Sequence, residues 1–97
     1  SASAIDADRH NPFYALGYAR TLRFYGAAPE KIEAAFAETF NRWPVYPVAR
    51  AEYARFLAEQ GRMDEAREQL ELASLVPDRT GGRDRAVQQT LQLLERN

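Results

Sequence analysis

The chain has 97 residues, 45% of them apolar, which suits one small domain with a real core and is too little for two. Thirteen basic residues against fourteen acidic ones leave a net charge of −1, so no general field favours DNA, RNA or an anionic membrane over other partners. The absence of cysteine excludes a disulfide framework and thiolate metal sites, and no stretch approaches the roughly 20 apolar residues that span a bilayer. Ser1 to His10 also lacks the basic-then-apolar order of a signal peptide, and residues 1–11 read as a flexible lead-in. Ser1-Ala2-Ser3, small polar residues with nothing obvious to pack against, read equally as a natural start and as a cloning remnant or a cut made inside a longer protein.

Asn11 before Pro12 signals a helix start, because Asn accepts a hydrogen bond from a free amide and Pro at the first helical position has no amide to satisfy. The first helix is expected from Pro12 to about Tyr25, with Phe13, Leu16, Ala19, Leu22 and Phe24 on its apolar face and Gly26 closing it. Pro29-Glu30-Lys31 opens the second helix, whose buried stripe is Ile32, Ala35, Phe36, Thr39, Phe40 and Trp43. Trp43-Pro44-Val45-Tyr46-Pro47 cannot continue that helix, since each proline disfavours α geometry in the residue before it. A third helix then begins near Pro47, turns Ala51, Tyr53, Ala54, Phe56 and Leu57 inward, and stops at Gly61. The fourth follows through Met63-Asp64-Glu65 with Ala66, Leu70, Ala73 and Val76 inside, Glu65, Glu68 and Glu71 outside among Arg62 and Arg67, and Pro77 ending it. After a loop with the paired glycines Gly81 and Gly82, Asp84 opens a fifth helix with Val87, Leu91 and Leu94 on one side and Gln88, Gln89, Gln92 and Glu95 on the other. No segment alternates apolar and polar long enough to make a strand, so the expected fold class is all-α.

Tyr18-Ala19-Arg20-Thr21-Leu22 recurs as Tyr53-Ala54-Arg55-Phe56-Leu57, an offset of 35 residues, and each copy is followed four residues later by a glycine, Gly26 and Gly61. A period in the mid-thirties identifies one supersecondary unit and its copy. Tyr18 and Tyr53, as equivalent positions, are expected to bury their rings with the hydroxyls reaching a partner or water. The small residues Ala19 and Ala54 let a neighbouring backbone approach.

These residues resemble the tetratricopeptide repeat family. Ala54, Leu57, Gly61, Ala66, Leu70, Ala73 and Pro77 match its pattern in the second copy, and Ala19, Leu22, Gly26, Phe36 and Pro44 in the first, where Ile32 and Thr39 stand in place of the usual alanines. The resemblance implies two antiparallel helical hairpins plus a C-terminal capping helix over residues 12–97, and a non-catalytic scaffold or adaptor that binds a protein or peptide on a concave helical face. Helices one and three would line that face. Asn41 to Leu70 also resembles the soluble C-terminal domain of bacterial O-antigen polymerases and protein O-oligosaccharyltransferases. That second resemblance implies a periplasmic accessory domain of a larger membrane protein, with the catalytic part elsewhere.

Candidates for chemistry are few. His10 is the one histidine, in a polar setting with Asp6, Asp8 and Arg9, and a metal site needs three or four donors fixed by structure. Ser74 has no nearby His or Lys to activate it, and Gly81-Gly82 lacks the strand, spacing and lysine of a phosphate cradle, so neither a catalytic residue, a metal ligand nor a cofactor is expected. The binding candidates are Tyr14, Arg20, Arg23, Phe24 and Arg55. Paired arginines beside aromatic rings would hold an acidic or C-terminal peptide segment, because the guanidinium fork binds a carboxylate bidentately. Competing readings are intramolecular pairing of the arginines with Glu52 or Glu59, and a carbohydrate site on the exposed aromatics. The family's carboxylate clamp is not reproduced, since Leu16, Val48 and Glu52 stand at its positions.

Overall fold

A computed structural model of the chain describes residues 12–78 and 82–96, and they are all-α: α1 (Pro12–Phe24), α2 (Pro29–Arg42), α3 (Pro47–Glu59), α4 (Met63–Ala73) and α5 (Gly82–Glu95), with no strand among them. The lead-in with His10, the Asn11 cap and Gly81 lie outside the described residues. The chain divides into two compact units, Ser1–Val45 and Tyr46–Asn97, and the boundary falls within the proline joint after Trp43.

In the first unit α1 and α2 form a hairpin closed by a left-handed glycine. Gly26 has φ +70°, its N–H donates to the Arg23 carbonyl at 3.1 Å, and the Ala27 N–H donates to the Leu22 carbonyl at 2.9 Å. This 5→2 and 6→1 pair satisfies carbonyls that the helix end would otherwise leave open. Pro29 starts α2, and the Ala28 carbonyl accepts from Lys31 at 2.9 Å and Ile32 at 3.2 Å. The interior of the hairpin is Leu16 and Ala19 from α1 against Ile32, Phe36 and Thr39 from α2. Thr39 is fully buried without an orphan hydroxyl, because its Oγ1 donates to the Ala35 carbonyl at 2.9 Å.

The aromatic ends of α1 depart from the expected apolar face, since Phe13 is 67% and Phe24 83% exposed. At about 100° per residue both positions lie well round the helix from Leu16 and Ala19, and α2 covers the latter two. Tyr18 is also 51% exposed, whereas its counterpart Tyr53 is half-buried and stacks on Phe56 with ring centroids 6.2 Å apart. The residue three positions after Tyr18 is Thr21, which offers no ring and instead donates to the Gly17 carbonyl at 2.8 Å. The two copies therefore share a backbone plan but not an environment for their tyrosines.

The second unit repeats the glycine closure at the same offset. Gly61 has φ +80°, its N–H donates to Ala58 at 3.0 Å, and the Arg62 N–H donates to Leu57 at 2.9 Å. We expect Gly61→Ala to cost about 1–2 kcal/mol, as an L side chain in the left-handed region does. No atom lies within 4 Å of a Cβ built there, so the loss is one of backbone conformation alone. Gly61→Asn should lose less, because asparagine visits that region more readily. Chemical denaturation of the two variants checks this, and equal losses would place the cost elsewhere.

Within this unit α3 packs against both α4 and α5, which touch each other little. Ala51, Ala73 and Ala86 meet where the three helices converge, with Val87 against them, and their small size permits the close approach. Polar contacts flank this junction. Arg50 Nη1 donates to Gln69 Oε1 on α4 at 3.1 Å, and Arg55 Nη1 donates to Gln89 Oε1 on α5 at 2.7 Å. Partial burial holds the Arg50 guanidinium below its ordinary pKa, opposed by the neighbouring Tyr53.

Helices α4 and α5 depart from the sequence expectation in their end and their inward face. Helix α4 ends at Ala73 rather than at Pro77, with Ser74 as its cap donating through Oγ to the Leu70 carbonyl at 2.9 Å. Val76 thus lies beyond the helix, where its carbonyl and that of Ala73 accept from Arg83 Nη1, while the Arg83 amide donates to Asp78 Oδ2 at 2.8 Å. The guanidinium closes the end of one helix and the carboxylate opens the next. On α5 the buried residues are Ala86 and Thr90, and Leu91 is exposed, so the inward face is rotated from the expected Val87-Leu91-Leu94 side. Thr90 tolerates burial because its Oγ1 donates to the Ala86 carbonyl at 2.7 Å.

Candidate docking surface

The described surface has one aromatic concentration. Phe13, Tyr14, Tyr18, Phe24 and Tyr25 are all exposed, whereas the other exposed large apolar residues are the aliphatic Val45, Leu72, Leu75 and Leu91. Aromatic rings are the side chains that gain most from being covered, so their clustering on one helix and its turn marks a candidate site.

Helical geometry splits that cluster. Tyr14 and Tyr18, one turn apart, form one wall of a groove of about 510 Å³ that α1 shares with α2, a volume within the range of small-molecule pockets. Ala15, Ala34 and Ala35 keep its floor low, and Trp43 stands beyond the end of α2. Lys31, Glu38 and Arg42 give the opposite wall its charge. Arg42 Nε lies 3.0 Å from Glu38 Oε1, an exposed pair one turn apart, while Lys31 has no ion pair among the described residues. The groove therefore sets a tyrosine wall against a charged one on which Lys31 has no ion pair among the described residues.

Of the five residues singled out in the sequence, only Tyr14 lines this groove. Six residues further on, Arg20 is turned roughly 120° around α1 from Tyr14, and Phe24 lies one turn beyond Arg20 on the same flank. Arg23 is half-buried. Arg55 belongs to the second unit, where it is held by Gln89 and, 3.5 Å from its Nε, by Glu59. That is the intramolecular alternative anticipated for it. Helix α1 itself carries Arg20 and Arg23 and no acidic residue.

Sequence reasoning missed Tyr18, Lys31, Glu38, Arg42 and Trp43 as groove residues. The spacing of Lys31, Ala34, Ala35, Glu38 and Arg42 is itself helical and complementary to the buried set Ile32, Phe36 and Thr39, so α2 has a second face legible in the pattern. What the pattern could not say is that Tyr14 and Tyr18 stand opposite it.

Among the described residues no three His, Cys, Asp or Glu side chains come together as metal donors, and the Ser74 hydroxyl is engaged by its own helix. No helix among them is long and apolar enough to cross a membrane. Comparison with protein-family models, curated proteins and solved structures finds no match to the chain.

Proposed function

We propose that this chain is a non-catalytic docking module that binds a protein or peptide segment on the surface of its first helical hairpin, α1–α2. The observation that carries the reading is the aromatic cluster on α1 and its turn, four exposed rings on a helix whose only charges are Arg20 and Arg23 and a fifth, Tyr25, just after it. Aromatic and arginine side chains at a surface are the types that dominate binding energy when a partner covers them. The tetratricopeptide-like repeat pattern supports the same reading, because helical hairpins of that kind present residues as a surface rather than as a reactive centre. Tyr14 and Tyr18 would anchor the segment in the groove and Arg20, Arg23 and Phe24 would contact its flank, while Arg55, engaged by Gln89 and Glu59 in the second unit, is not assigned to this surface.

Panning a random peptide library against the intact chain tests this. Convergent sequences should emerge whose binding falls at least about tenfold in Tyr14→Ala/Tyr18→Ala, equivalent to roughly 1.4 kcal/mol or more, with helicity unchanged. Failure to enrich any convergent sequence, or equal binding to the double variant, would remove the groove from the proposal.

A further inference from the structure

Resting on that docking reading, we infer that the α1–α2 groove takes the acidic outer face of α4 from a second copy of this chain. The groove offers aromatic walls at Tyr14, Tyr18 and Trp43, a low alanine floor, and Lys31 with no ion pair among the described residues. Its natural complement is a helix with apolar anchors and carboxylates on one face, seated as helices seat in grooves generally. Helix α4 has that face. Glu68, Leu72 and Leu75 follow one another at helical spacing with Glu71 beside them, and all four are exposed. Leu75 continues the stripe past the cap because its N–H donates to the Leu72 carbonyl at 3.3 Å.

Charge on α4 points the same way. Asp64 is paired with Arg67 at 3.3 Å and Glu65 with Arg62, whereas Glu68 and Glu71 have no ion pair among the described residues. The unpaired carboxylates therefore sit beside the exposed leucines, and the unpaired ammonium sits beside the exposed rings.

Sedimentation velocity of the intact chain, from low micromolar to about 1 mM, tests the inference, because weak contacts populate only at the upper end. The weight-average sedimentation coefficient should rise with concentration and fall back in high salt, which screens the exposed charges. Lys31→Glu should abolish the rise, and so should Glu68→Lys/Glu71→Lys. An equimolar mixture of the two variants should restore it, since each then presents the other with a complementary charge. Misfolded variants could not recover on mixing, so the mixture also controls for folding. A sedimentation coefficient independent of concentration, or a rise that both variants retain, would overturn the inference. A chain that stays monomeric yet binds library peptides through Tyr14 and Tyr18 would retain the docking module and lose only its self-recognition.

Discussion

Phe56→Ala is expected to lower stability by about 3–5 kcal/mol, the cost of removing a buried aromatic ring and leaving its cavity. Phe56 is 2% exposed on α3, the helix that packs against both others in its unit, and its ring stacks on Tyr53. For a chain of this size the loss is a large share of a total of roughly 5–15 kcal/mol, and the thermal midpoint should fall by at least about 12 °C. Phe24→Ala provides the contrast. The same residue type in the last turn of α1 is 83% exposed, so its removal should change stability by no more than about 0.5 kcal/mol. Comparable losses in the two variants would mean that burial is not what separates these phenylalanines.

Enlarging the core should be as damaging in kind. Ala54→Leu is expected to cost about 1–3 kcal/mol, because Ala54 is fully buried on the same central helix and a longer side chain must displace neighbours from their rotamers. Ala37→Leu, on the exposed side of α2, adds the same atoms where solvent can accept them and should be within about 0.5 kcal/mol of the parent. Denaturant unfolding measures both. If Ala54→Leu melts with the parent protein, the space around α3 is looser than a repeat packed through alanines allows.

The helices were legible because their signals are local. Pro12, Pro29 and Pro47 open three of them, Gly26 and Gly61 close two, and the glycine closures use the same pair of hydrogen bonds 35 residues apart. The candidate site was legible only in part. Tyr14 was recognisable as a binding candidate, but its pairing with the alanine and lysine face of α2 depends on how two helices dock, which no spacing within either helix states. Tyr18 misled because the duplication of four letters in five suggested a shared environment, when the ring that shelters Tyr53 is Phe56 and the first copy has Thr21 in that place.

Sequence alone thus determined the all-α class, the breaks between five helices and the repeated closure, since each follows from contacts a few residues long. Tertiary structure alone decided which side of α1 and α5 is covered, that Arg55 reaches Gln89 from 34 residues away, and that a groove lies between α1 and α2. Those outcomes depend on the helix that arrives opposite, and burial is a property of the pair rather than of either partner.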